Sequence, residues 1–473
     1  MKDKTLKRFF SALMVAAMVI VNLPLNSYGK GEPQLCASAV KFAGKSVSSG
    51  EVHIRRDLYA SSVTVTDQPY IAPEKQPEVT LDGITLKVER SDSNHSGETV
   101  IEPTSQITEV FLNRIKDMEE PGRNITGEIR TVNTDRYETI VLRMKKDFLE
   151  KFSQETNSGF RINNGFAAFT FGNNVLDSIY AQMKGFEVDI IIKPIYPTKL
   201  DEITEAKVDD RPAYSISVNN DETGLNFGGE KIKVSVPYTL RPGENKNSII
   251  VYSINKDGSV HPAVSKYDQS SKAVIFITDS PGEYTLAYNH YVFSDIDGNL
   301  NKDSIDFIAS REIFSGVGDG KFGPDLSLTR GMLVTILGKI SDADASGKPA
   351  FEDVPASKYY SGYVAWASKN GLLKGTGKNR FEPERAVTRE ELASIMYNFT
   401  LYAKLCKPDY GKTAGFADDD SISGWAANAV AQLKEMGLVS GDGNNMFNPK
   451  APATRAEAAD ILTKIIIRYI DKF

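Results

Sequence analysis

Three threonine–arginine pairs near the C-terminus, Thr329-Arg330, Thr388-Arg389 and Thr454-Arg455, carry the clearest chemical signal in the sequence. A guanidinium is a planar, permanently cationic fork, and at a helix N-terminus it stands beside backbone donors and the positive end of the helix dipole. That combination suits an anion, above all a carboxylate or phosphate, and each charge-assisted contact contributes about 1.5–3 kcal/mol. A helix start with a solvated arginine is the plainer reading of any single pair. Repetition changes that reading. In every copy the threonine stands thirteen residues after a glycine (Gly316, Gly375, Gly441) and a phenylalanine stands six after it (Phe322, Phe381, Phe447). Three such sites on one chain favour a polymeric ligand through avidity.

Other reactive residue types form no comparable pattern. His53, His95, His261 and His290 have no metal-ligand spacing. No nucleophile elbow or phosphate-binding glycine loop occurs. Glu119-Glu120 and Asp209-Asp210 are adjacent and on a strand would face opposite sides. Asp295-x-Asp297-x-Asn299 resembles the opening of a calcium loop, but Leu300 occupies the position that needs glycine. The sequence therefore suggests no catalytic residue, metal or cofactor, and a chain that is not an enzyme. Cys36 and Cys406 are the two cysteines; a bridge between them is open in an exported protein.

The arginines are positioned by a repeated unit. It opens with Phe-x-Asp (Asp295, Asp353, Asp418) and continues as an apolar-periodic helix, Trp425, Val430 and Leu433 in the third copy, Tyr359 and Val364 in the second. That helix ends at Gly371 or Gly437, and a glycine-bearing loop, the phenylalanine and a proline follow. Thr-Arg then opens a second helix. Thr388-x-x-Glu391 and Thr454-x-x-Glu457 read as capping boxes, whereas the first copy has Met332 in the glutamate's place. The first copy also has Leu300 where the others have Tyr359 and Trp425, and Glu312 where they have glycine.

With Phe-x-Asp, Gly-x-Gly…Phe-x-Pro and Thr-Arg in order three times, the segment resembles the S-layer homology (SLH) domains of bacterial surface proteins. The repeats fall at 291–345, 346–410 and 411–473. The resemblance implies an all-α, three-pronged bundle with pseudo-threefold symmetry. It also implies binding of anionic, often pyruvylated, secondary cell-wall polysaccharide attached to peptidoglycan, in grooves between the prongs. Carried over by motif, the ligand-facing residues are Arg330, Arg389, Arg455, Asp295, Asp353 and Asp418, with Trp425 and Tyr359 walling the grooves. From the residues alone, the aspartates read equally as caps of the first helix, and Tyr359 reads as core.

Upstream, Lys2, Lys4, Lys7 and Arg8, the apolar run Phe9–Leu25, and Ser27 and Gly29 have the layout of a secretory signal peptide over 1–29. The mature protein is then expected to be secreted, outside the membrane and on the cell wall or S-layer, in the Gram-positive manner. Net charge −6 lacks the basic bias of a nucleic-acid binder. Residues 30–134 read as a β-rich region with a linker and 135–290 as a β-rich module. Strands are expected at Val63–Val65, Ile84–Val88, Ile140–Met144, Val188–Ile192, Ile232–Val236, Ile249–Ile254 and Val274–Ile277. Short helices are expected near Lys146–Ser153 and Asn174–Lys184, and a hairpin at Gly258. The 135–290 stretch is similar to β-rich modules that precede SLH repeats, on Phe169-Thr-Phe171, Val175–Ile179 and Val234–Leu240. The whole reads as multi-domain α+β, with sandwich-like modules before the helical bundle. Self-association in a surface layer, a polysaccharide hydrolase, or an adhesin displaying another protein stay open.

Overall fold

The computed structural model describes residues 78–89, 97–120, 125–132, 138–220, 223–341, 343–409 and 414–473. The signal segment, Cys36, His53, His95 and the strand expected at Val63–Val65 lie outside the described residues. Within them the chain is α+β, with strands to about residue 288 and helices beyond.

Alternation of apolar and polar residues sets the strands. Along Glu187–Pro194, Val188, Ile190 and Ile192 are buried while the residues between them are not. Two sheets result. One runs in the spatial order Glu78–Asp82, Thr85–Glu89, Thr126–Val132, Gly159–Asn163, Ala168–Phe171, Ile232–Pro237, Ala273–Thr278, Ser265–Asp268. The other runs Val260–Ala263, Ile249–Ile254, Gly282–Tyr288, Ala213–Asn220, Glu187–Pro194, Thr139–Lys145, Glu98–Ile101. Ile254 and Val260 pair across the turn that contains Gly258, the expected hairpin.

The helices α1 (Ser105–Met118), α2 (Lys146–Glu155) and α3 (Asn173–Gln182) add apolar faces to the same core. Phe111, Phe152 and Ile179 join Ile129, Val234, Ile190 and Leu286 in one cluster drawn from both sheets. Strands on either side of residue 134 pair directly, Thr126–Val132 with Gly159–Asn163 in parallel, so residues 78–132 and 138–288 share sheets and core. A short helix, α4 (Glu202–Val208), ends at Asp209. Asp209 and Asp210 therefore lie beyond a helix end, not on a strand, and both reach Arg241.

Each repeat supplies two helices: α5 (Lys302–Ser310) and α6 (Arg330–Ile340), α7 (Ser361–Lys369) and α8 (Arg389–Tyr402), α9 (Gly424–Glu435) and α10 (Arg455–Asp471). Gly371 and Gly437 adopt left-handed φ just past α7 and α9, as expected of a helix C-terminus. Glu312 holds the same conformation in the first repeat, at φ 58°.

The three repeats are linked in a closed ring. Leu328 N–H donates to Ala453 O (3.0 Å), Ala453 N–H to Val387 O (2.7 Å), and Val387 N–H to Leu328 O (2.8 Å). These residues immediately precede the three Thr-Arg pairs, and all three are buried.

The helical part also joins the β-rich part. Arg311, fully buried, donates to the carbonyls of Ser265 (2.8 Å), Asn247 (2.9 Å) and Ile249 (3.2 Å). Asn289 Nδ2 donates to Ser310 O at 2.6 Å, Asn245 Nδ2 to Asp306 at 2.7 Å, and Lys266 pairs with Asp471. Nothing in the sequence pattern marked Arg311. Its role depends on strands that lie over forty residues away along the chain.

Candidate functional site

Each Thr-Arg pair opens its helix as the sequence indicates. Thr388 and Thr454 form complete capping boxes with Glu391 and Glu457, and Thr329 caps Met332 N–H alone. The next amides are also engaged. Arg330 N–H and Gly331 N–H donate to Arg385 O and Pro383 O, Arg389 N–H and Glu390 N–H to Ala451 O and Pro449 O, and Arg455 N–H and Ala456 N–H to Leu326 O and Pro324 O. The expectation that these helix N-termini offer free backbone donors to an anion is therefore corrected. The neighbouring repeat takes them, because burying an unpaired amide is costly.

The arginine side chains follow the same ring. Arg330 Nε donates to Phe381 O and Nη2 to Lys374 O, both at 2.8 Å, with the guanidinium 4.6 Å over the Phe381 ring. Arg389 Nε donates to Phe447 O at 2.6 Å and Nη2 to Ser440 O at 3.3 Å. Arg455 Nε donates to Phe322 O at 3.0 Å and Nη2 to Ser315 O at 2.6 Å, stacked over Phe314 and Phe322. Arg330 and Arg455 are each 5% exposed, whereas Arg389 is half-buried. Burial pulls the guanidinium pKa of Arg330 and of Arg455 below the usual arginine range, with Glu391 opposing it at Arg330 and Asp295 at Arg455. The arginines are first of all ties between repeats, not solvated forks.

The aspartates are ties within repeats. Asp295 accepts from Phe322 N–H and Gly323 N–H, both at 2.8 Å. Asp353 accepts from Phe381 N–H and Glu382 N–H at 2.8 Å. Asp418 accepts from Phe447 N–H at 2.7 Å and Asn448 N–H at 2.8 Å. They cap no helix. They staple the start of each repeat to its Phe-x-Pro turn, and that accounts for their spacing without a ligand. Burial would raise the Asp295 and Asp353 carboxyls, yet the two amide donors outweigh it and hold both below the ordinary value. Asp297 pairs with Lys302 at 2.5 Å, so the calcium-loop-like residues do not converge.

Tyr359 corrects the core reading: it is 59% exposed, Trp425 is 62% exposed, and Leu300 at the same place in the first repeat is fully exposed. The buried ring is the neighbouring Tyr360, which packs beside Gly331 of the first repeat.

A groove of about 460 Å³ opens beside Arg389, between all three repeats. Leu300 comes to it from the first repeat, Arg389 from the second, and Asp442, Asn448, Glu457 and Asp460 from the third. Arg389 Nη1 pairs with Glu457. The lining is thus rich in acceptors and short of free positive charge, a surface for hydroxyls more than for a second anion. Asp442, Asn448 and Asp460 were not singled out by sequence, since only the ring closure brings them to Leu300.

Residues 292–331, 350–393 and 415–459 match the S-layer homology domain. The chain is 34% identical over 235 residues to an amylopullulanase of Thermoanaerobacterium thermosulfurigenes, covering 48% of this chain and 12% of that protein. It is 37% identical over 172 residues to the exoglucanase XynX of Acetivibrio thermocellus, 36% of this chain and 16% of the relative. It is 27% identical over 178 residues to the surface-layer 125 kDa protein of Lysinibacillus sphaericus, 37% and 14%. The chain thus spans less than a fifth of the length of these relatives. The amylopullulanase match takes in more of the chain than lies beyond residue 292, so the likeness continues into the β-rich part. Two of these relatives are named as enzymes, which overturns the reading of this chain as not an enzyme. No helix among the described residues is long and apolar enough to cross a membrane. Three consecutive matches, each built on the same stapled turn and inter-repeat arginine, make this chain an SLH-containing, secreted cell-surface protein of the Gram-positive type.

Proposed function

We propose that the three repeats hold the protein non-covalently on the cell wall by binding secondary wall polysaccharide in grooves of a pseudo-threefold, three-pronged bundle. The observation that carries this reading is the acceptor-rich groove at Arg389, to which every repeat contributes and whose rim holds an exposed apolar side chain, Leu300. Sugars present hydroxyls at their edges and C–H groups on their faces, so polar linings with exposed aromatic or apolar rims complement them. Tyr359 and Trp425 offer such rims in the other two repeats. The pyruvylated or otherwise acidic groups of the polymer, and assembly of the protein with copies of itself in a surface layer, belong to this proposal as well.

The test is co-sedimentation of the mature full-length chain with purified walls, before and after acid extraction of their secondary polysaccharide. Pelleting with intact walls and release on extraction is the expected result. Failure to pellet with either preparation would end the anchoring reading.

A second reading is favoured by the relatives' names and by the likeness that continues past the repeats. In it the chain is, or belongs to, a wall-anchored polysaccharide hydrolase. Release of reducing ends from soluble glucans by the mature chain supports it, provided a single carboxylate substitution abolishes the release; glucans left intact count against it.

A further inference from the structure

The outer face of the first sheet carries charge that the protein leaves unanswered. Inward side chains of that sheet, among them Ile129, Phe160, Phe169, Val234 and Phe276, belong to the core of the β-rich part. The residues between them therefore point outward. At one end of this outer face Ile275 and Ile277 pack against the core of the helical bundle. Toward the middle, on the strands Gly159–Asn163, Ala168–Phe171 and Ile232–Pro237, the outward residues Arg161, Thr170 and Lys233 are only partly buried. Strand register sets Arg161 opposite Thr170, and Thr170 opposite Lys233. Two cations thus flank one hydroxyl on strands two apart, with their Cα atoms about 10 Å from each other.

Neither cation has a counter-ion. Glu128, which faces Arg161 on the next strand, is engaged by Arg130 at 2.5 Å and by Asn163 Nδ2 at 2.7 Å. Asp471 of α10 pairs with Lys266. Among the described residues Arg161 and Lys233 make no side-chain hydrogen bond and no ion pair, and Arg161 Nε is sealed from solvent with nothing to accept from it. Burial pulls the Lys233 ammonium below the usual lysine pKa; Asp471 opposes the shift, and the like charges of Arg161 and Lys266 add to it. A solvated surface lysine would need no partner. A half-buried ammonium beside a guanidinium costs desolvation and repulsion that a bound anion offsets.

We infer that Arg161, Thr170 and Lys233 form an anion site outside the repeats, and that its occupant is a phosphodiester of an anionic wall polymer. Donors from three separate strands surround a tetrahedral phosphate, whereas a planar carboxylate is best matched by a single guanidinium fork. In Arg161 the fork edge that includes Nε is closed off. The chain as a whole carries a net charge of −6, so a polyanion is drawn to this strip and repelled elsewhere. The site uses only the protein's place at the cell surface and none of the grooves between repeats.

The experiment measures binding of the mature full-length chain to poly(glycerol phosphate), to polygalacturonate as a carboxylate polymer, and to inorganic phosphate. Arg161→Gln combined with Lys233→Gln removes no hydrogen bond or ion pair, so the fold is kept. The double variant is expected to bind poly(glycerol phosphate) at least about tenfold more weakly than the parent. Lys193→Gln, which removes an exposed charge from the second sheet, is expected to bind like the parent. Parent-like binding by the double variant, or an equal loss with Lys193→Gln, would overturn the site. Polygalacturonate bound as tightly as poly(glycerol phosphate) would overturn the phosphate assignment, and inorganic phosphate bound as tightly would overturn the polymer. The secondary wall polysaccharide is not the probe, so each of these failures leaves the anchoring reading to its own test.

Discussion

The first repeat differs from the second and third at Leu300, Glu312 and Met332, and the structure accounts separately for the last two. Past α7 and α9 a glycine adopts the left-handed turn, at no steric cost. In the first repeat Glu312 takes the same φ, and its carboxylate accepts from Tyr252 Oη at 3.3 Å and Asn289 Nδ2 at 3.4 Å, both from the β-rich part. Arg311 beside it enters the same face, where the second and third repeats have Asn370 and Met436. What reads in sequence as decay of the motif is thus, at this end, the surface on which the bundle meets the ectodomain. Met332 teaches a different lesson. It removes a charge from the ring and leaves the third repeat's arginine unmatched, so a departure in one repeat changes the chemistry of another.

The comparison breaks most visibly at Arg311. Arg311→Ala leaves the carbonyls of Ser265, Asn247 and Ile249 without their donor, and is expected to cost about 3–5 kcal/mol. Asn370→Ala and Met436→Ala, at the same place in the other repeats, are expected to cost less than about 1 kcal/mol. Urea unfolding followed by tryptophan fluorescence measures all three, and equal costs would mean the interface is not what distinguishes the first repeat. Next in size, Arg455→Ala is expected to destabilise by about 3 kcal/mol and the more exposed Arg389→Ala by about half of that. Substituting either arginine is accordingly a test of folding, since both tie one repeat to another.

Acid should loosen the first and second repeats together. Their Asp295 and Asp353 carboxyls lie below the ordinary value, so the stability they contribute is complete above the pKa of the unfolded chain, near 4, and is lost as pH falls through the lower folded values. A far-ultraviolet circular dichroism titration from neutral to strongly acid pH checks this, and Asp353→Asn should move the loss of helix toward neutral pH. Smaller again, Gly437→Ala should cost about 1 kcal/mol, whereas Glu312→Gly should change stability by no more than about 0.5 kcal/mol, because relief of its turn offsets two long hydrogen bonds. One change is a gain: Met332→Glu should add about 0.5–1 kcal/mol by completing the cap, visible as a slightly raised Tm.

The sequence by itself determined what depends on near neighbours. Capping boxes at Thr388 and Thr454, the half-built cap at Thr329, the glycine turns at Gly371 and Gly437 and the strands from Ile140 to Ile277 all stand where period and spacing put them, because each is decided within a few residues. The threefold repetition, a property of the string, identified the repeats. The tertiary structure decided which groups were left for a ligand. Arg330 and Arg455 read as free forks until the phenylalanine carbonyls of another repeat closed on them, and the helix N-termini read as open donors until Leu326 and Pro324 took their amides. Asp442 and Asp460 had no meaning before the ring brought Leu300 to them. Hydrogen-bond demand is satisfied over whatever distance the chain can fold. A motif therefore shows which groups are polar and where they start, and the packing alone shows which of them remain unpaired.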